Sequence, residues 1–236
     1  MDMTKLKPAL VLILAVAFAF SPLLSPGFGG YDPAQFPVQI ARPAILPAGY
    51  AFAIWGMIYL WLIAHAGYGL FRRADDADWD ATRWPLIVSL GVGTVWLSVA
   101  MQSPVWASVL IAVMLASALL AVWHTGDADD RWPLTAPLAI YAGWLTAATG
   151  VSFGVLVSGF GWLPDTWAAV VFLALVLGVA LTVQRHLARA PEYGLTVIWA
   201  LAAVVVSNGT ANLPIALLAA AAAAVMALAA WRSHTS

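Results

Sequence analysis

His65 is the one titratable side chain well inside an apolar run of this 236-residue chain. An imidazole there could ligate haem iron or carry a proton, but a lone histidine on a helix more often serves a structural hydrogen bond, and that reading is favoured. Spaced acids offer a second chemistry: Asp75, Asp76, Asp78 and Asp80 lie in one polar segment, and Asp127, Asp129 and Asp130 in the next. The glycine turn and terminal bidentate glutamate of an EF-hand are missing, so solvated loops are expected rather than a metal site. There is no cysteine, which excludes thiol catalysis and thiolate metal centres. The only lysines, Lys5 and Lys7, leave no intramembrane Schiff base of the kind a retinal protein needs. No Ser-His-Asp, HExxH, phosphate-loop or paired-carboxylate pattern occurs. No catalytic residue, metal or obligatory cofactor is expected, and an enzyme is the less favoured class.

Stacking is the chemistry the chain does offer. It has 13 tryptophans. Trp84, Trp106, Trp132, Trp162, Trp167 and Trp231 fall at the ends of apolar runs, where interfacial anchoring explains them. Trp55, Trp96 and Trp144 lie deeper, and a buried indole presents a large flat face and a donor that needs a partner. Trp55 and Tyr59 are four apart, and Leu62 and Ala66 continue their stripe; Trp144 shares a helical face with Tyr141, Ala148 and Val151. An aromatic residue followed one turn later by a small one leaves a concavity beside a stacking surface. Close helix packing fits the same pattern, because Gly150-Val-Ser-Phe-Gly154 is a GxxxG motif. Both readings stay open on spacing alone.

The elements that must position these rings are membrane spans. The composition is 63% hydrophobic and only 9% charged, where a soluble domain carries about 25% charged residues. Eight apolar runs are expected as helices, near 8–24, 49–71, 85–102, 106–124, 133–157, 166–184, 194–206 and 213–231. With the N-terminus inside, Lys5, Lys7, Arg72, Arg73, Arg83, Arg131, Arg185, Arg189 and Arg232 all fall on the inner side and only Arg42 on the outer. That asymmetry predicts an N-in, C-in topology. Lys5 and Lys7 before the first run also resemble a signal peptide, whose cleavage would leave seven spans. Few lysines beside many arginines and alanines suggest a GC-rich bacterial gene, hence the inner membrane. Lipid is the expected partner, a homodimer is a further one, and the net charge of −1 gives no reason to expect nucleic acid. The long outer segment 25–48 carries Pro26, Pro33, Pro37, Pro43 and Pro47 among Phe28, Tyr31 and Phe36, and reads either as a lid over the bundle mouth or as an ordered interfacial loop.

With these residues in view, the stretch Tyr141-Ala-Gly-Trp144-Leu-Thr-Ala147-Ala148-Thr149-Gly150-Val-Ser152-Phe153 resembles the fifth-helix signature of the TspO/MBR family, the tryptophan-rich sensory proteins related to the mitochondrial translocator protein. Pro43, Pro47, Trp55 and Tyr59 match that family's proline-rich entry to helix two and its W-x-x-x-Y, and Trp96 keeps the tryptophan of its helix-three segment. The likeness covers about 8–158. Gly93, Ser98 and Ser152 stand where the family has asparagine, proline and asparagine, and Ala44 where it has a tryptophan.

The resemblance implies an all-α polytopic bundle, with a five-helix TspO-like unit over 1–160 and about three further transmembrane helices over 161–236. It also implies a pocket for porphyrins, sterols and synthetic aromatic ligands beneath the outer loop. Trp55 and Trp144 match tryptophans of that pocket and Ala148 a small residue of its wall; Tyr59, Trp96 and Tyr141 complete the expected ligand-binding set. The function expected is a membrane sensor or carrier for an amphipathic aromatic molecule, a tetrapyrrole or haem-type ligand or a sterol-like one. A photo-oxidative porphyrin-degrading enzyme and a non-catalytic assembly protein are the alternatives.

Overall fold

The protein is seen in a computed structural model that describes residues 5–25, 28–126, 130–188 and 190–235, with side chains to 232. Pro26, Asp127, Asp129 and Arg189, on which parts of the lid, acidic-loop and charge readings rest, lie outside the described residues. Those residues form eight long helices: α1 Leu6–Leu24, α2 Ile54–Arg72, α3 Ala77–Ala100, α4 Pro104–Trp123, α5 Ala136–Gly159, α6 Asp165–His186, α7 Pro191–Asn208 and α8 Leu213–Thr235. All eight spans are long and apolar enough to cross a bilayer, in which a helix satisfies its own backbone.

The bundle is arranged around α5, which packs on α2, α4, α6 and α7. Every residue from 136 to 147 is buried, as expected for a helix that is apolar all round. The GxxxG pair faces two neighbours. A Cβ on Gly150 would collide with Val176 of α6, and one on Gly154 would lie 2.9 Å from Ile45 of the outer loop. The helical hairpin of α7 and α8 turns at Gly209, whose φ of +48° lies in the region that favours glycine.

One sequence expectation is corrected at the end of the bundle that carries both termini. The segment Arg72–Trp84 reads as a solvated acidic loop, yet α3 begins at Ala77, so Asp78, Asp80 and Arg83 are helical. Asp76 caps the helix by accepting from the amides of Asp78 and Trp79, and two acids in the first turn suit the positive end of the helix dipole. Lys7 and Arg83 pair with Asp80, and Arg73 pairs with Asp130, which also accepts from Trp79 Nε1. The Arg73 guanidinium holds the Asp130 carboxyl below the ordinary carboxylate range. Arg131 forms a further ion pair with Glu192 at the start of α7. His65 is packed in the bundle: its Nδ1 is 2.8 Å from the Pro133 carbonyl oxygen and its ring stacks on Trp79.

The opposite end is closed by residues 28–53. Two short 3-10 turns, Pro33–Gln35 and Gly49–Ala53, interrupt an otherwise irregular path. The middle of that path is fastened to the end of α5 and the start of α6. The Val38 amide donates to the Gly159 carbonyl, and the Ala44 amide to Asp165 Oδ2. Further along, the Asn208 side-chain amide donates to the Ala44 carbonyl, the Ala48 amide to the Ala203 carbonyl, and Trp199 Nε1 to the Ala51 carbonyl. Residues 44–51 therefore descend alongside α7 over about two turns. Irregular backbone at this depth is tolerated because protein groups, not lipid, satisfy it.

Candidate functional site

Four helices and the outer segment bring the aromatic side chains together. Trp55 on α2 and Trp144 on α5 meet edge to face, with ring centroids 6.1 Å apart. One turn below Trp55, Tyr59 stacks on it at 5.2 Å, as the four-residue spacing predicts. Phe18 of α1 turns its ring edge to both, at 5.6 and 5.1 Å. From the outer segment, Phe52 packs edge-on to Trp144 and Phe28 edge-on to Trp96 of α3. T-shaped and offset contacts of this kind set the negative ring face against the positive edge.

These rings wall a cavity of about 340 Å³ whose lining includes Phe18, Phe28, Trp55, Tyr59, Trp96 and Trp144, with Ala148 opening its wall. The volume sits at the low end of the roughly 300–1,000 Å³ typical of small-molecule sites. Every lining residue comes from the first five helices and the outer segment. A second cavity of about 190 Å³ adjoins it and shares Phe28, Phe52, Trp96, Ile111, Trp144 and Ala148 with it. Beyond that shared wall the second cavity runs under Pro43 and Pro47 and between α5, α6 and α7.

Five of the six residues singled out by sequence, Trp55, Tyr59, Trp96, Trp144 and Ala148, line the aromatic cavity. Tyr141 is buried behind it: its hydroxyl is 2.9 Å from Ser89 Oγ, and its ring edge faces Phe18. Phe18 and Phe52 lie outside the expected set, whereas Phe28 belongs to the segment read as a lid. Phe18 fills the space beside Gly93, where a Cβ would sit 2.8 Å from its ring. An asparagine side chain, which the resemblance places there, would have to displace the Phe18 ring. Ser152, in the other asparagine position, instead joins a hydroxyl chain. Tyr31 of the outer segment is 2.5 Å from Ser152 Oγ, and Ser108 is 2.8 Å from it. Burial raises the Tyr31 phenol above its ordinary value, with the two serine hydrogen bonds opposing the rise.

Trp96 Nε1 donates to the Ala107 carbonyl, whereas Trp144 Nε1 is buried with no acceptor among the described residues. A buried unpaired donor of this type costs about 1–3 kcal/mol. The site holds no charged side chain, and among the described residues no group of three metal-ligating side chains occurs. What the arrangement can do is hold a flat apolar molecule against indole and phenyl faces and cover it.

Comparison with known proteins gives one match. The model of a family described as TSPO-like protein matches residues 9–232. No curated protein and no solved structure matches the chain.

Proposed function

The chain belongs to the TSPO-like protein family, and from that premise we propose that it is a membrane sensor or carrier binding an amphipathic aromatic ligand, a tetrapyrrole or a sterol-like molecule, in the tryptophan-lined cavity. The observation that carries this reading is the meeting of Trp55 and Trp144, from two different spans, on one cavity covered by Phe28 and Phe52. Lipid tails are as apolar as the cavity wall, so simple hydrophobic transfer does not favour entry. Selection comes instead from ring stacking and from shape.

In this reading residues 1–160 form the ring-binding unit, since its lining comes from them alone, and 161–236 complete the bundle around it. Both termini face the cytoplasm of a bacterial cell, as the nine-to-one division of basic residues supports.

The test is equilibrium titration of protein in lipid nanodiscs with protoporphyrin IX, comparing wild type with the Trp55→Phe/Trp144→Phe double variant. At least tenfold weaker binding is expected. Unchanged affinity rejects the site. Because other tryptophans contribute to the signal, dissociation constants rather than quenching amplitudes are compared. The absorption band of the bound porphyrin is expected to survive illumination; its loss in light but not darkness, with wild type only, would establish the photo-oxidative alternative instead.

A further inference from the structure

The two adjoining cavities differ in chemistry. Seven aromatic side chains wall the first, from Phe18 to Trp144. The part of the second not shared with it is walled by branched aliphatic residues, among them Ile45 of the outer segment, Val151 and Val155 of α5, Val176 of α6, and Leu201 and Val204 of α7. Its polar groups are confined to the Tyr31–Ser152 corner, where the two hydroxyls already bond each other. Both cavities are lined by Trp144 and, one turn on, by Ala148, whose small side chain leaves space beside the indole.

Building on the ring-binding reading above, we propose that the second cavity is a subsite for an aliphatic chain, so that the preferred ligand is a flat ring carrying one alkyl or isoprenoid substituent. The ring lies against Trp55 and Trp144, and the chain passes Ala148 into the crevice of α5, α6 and α7. A chain leaving lipid gains little from dehydration, so its preference for this crevice rests on close dispersion contact with branched side chains on several sides. Fit also limits length. At about 30 Å³ for each small group, 190 Å³ accepts roughly six carbons.

The experiment measures equilibrium binding of pyrene, 1-butylpyrene, 1-hexylpyrene and 1-dodecylpyrene to nanodisc-embedded protein, with uptake by protein-free nanodiscs subtracted. Wild type is compared with Ala147→Leu on α5 and Ala200→Leu on α7, two residues that line the second cavity but not the first. Affinity is expected to rise tenfold or more from pyrene to hexylpyrene and then level off. The filling variants are expected to bind pyrene within twofold of wild type and to lose the chain-dependent gain; with two variants on separate helices, failure of one to fold leaves the other to decide. A gain that is equal in wild type and variants, that continues undiminished to the dodecyl chain, or that is absent throughout would overturn the subsite while leaving the ring site standing. Failure of pyrene itself to bind above protein-free nanodiscs would remove the ring site, and the subsite with it.

Discussion

Tyr31 reaches across 121 positions of sequence to place its hydroxyl 2.5 Å from Ser152 Oγ, tying the outer segment to the central helix at the corner where the two hydroxyl-bearing walls of the second cavity meet. Ser152 is also held by Ser108 of α4. Removing the phenol oxygen leaves that second bond in place. Tyr31→Phe should therefore cost only about 0.5–1.5 kcal/mol of stability. Its larger effect is expected on the cover: faster amide exchange over residues 28–36, and a several-fold faster release of bound porphyrin in a stopped-flow chase. Unaltered exchange and release would show that the bond does not hold the segment down.

A matched pair of glycine substitutions tests how tightly the outer segment is seated. Gly154 and Gly178 both lie inside helices, but a Cβ on Gly154 would meet Ile45 at 2.9 Å whereas one on Gly178 meets nothing within 4 Å. Gly178→Ala should stabilise by about 0.5–1 kcal/mol through helix propensity. Gly154→Ala should lower the thermal midpoint, because Ile45 must move, with overpacking typically costing about 1–3 kcal/mol. Thermal unfolding of the two variants in the same detergent decides it, and equal midpoints would contradict the seating described.

Asp130 supplies a pH prediction. Its carboxyl is held below the ordinary value first by the hydrogen bond from Arg73, helped by the one from Trp79, with partial burial working in the opposite direction. A carboxyl whose folded-state value is depressed stabilises the fold above the unfolded value near 3.8, and that contribution is lost as pH falls through the lower folded value. The thermal midpoint of wild type should thus fall, as pH drops below the unfolded value near 3.8, more steeply than that of Asp130→Asn. Solvent at the exposed Arg73 side keeps the difference small. Parallel midpoint–pH curves would refute the assignment.

The Arg131–Glu192 pair gives a sharper contrast. Glu192 is buried, with its second carboxylate oxygen unpaired among the described residues. Arg131→Met should strand that charge and cost about 3 kcal/mol, the lower end for a buried pair because Arg131 is a third exposed. Arg131→Met combined with Glu192→Leu should recover most of the loss. A double variant no more stable than the single one would show that the pair stabilises by more than mutual neutralisation.

The helices were legible because a bilayer permits few alternatives to a long apolar run, and all eight spans appear where hydropathy places them. Helix ends were less so. Charge density made Asp78, Asp80 and Arg83 read as loop, although Asp76 two residues before Asp78 is a capping signal, and Asp80 and Arg83 stand three apart, at the spacing of a helical ion pair. Within the site, the Trp55–Tyr59 stack follows from spacing, while the approach of Trp55 to Trp144 depends on how two helices are juxtaposed. Tyr141 shows the limit of face-counting: α5 is buried all round, so its sequence carries no amphipathic signal to say which stripe faces a cavity and which faces Ser89. The proline-rich pattern around Phe28 points to a cover, but nothing local announces that Phe18 would meet Trp55 and Tyr59 or that Phe52 would meet Trp144.

The descent of residues 44–51 beside α7 also fixes an order of events during synthesis. A nascent chain inserts its spans from the amino end, yet the groups that satisfy Ala44, Ala48 and Ala51 are Asp165, Asn208, Ala203 and Trp199. These contacts of a stretch made early can form only once the sixth and seventh helices have been made. The binding chamber is consequently roofed only near the end of translation, so a ribosome stalled before α7 would display the aromatic walls without their cover.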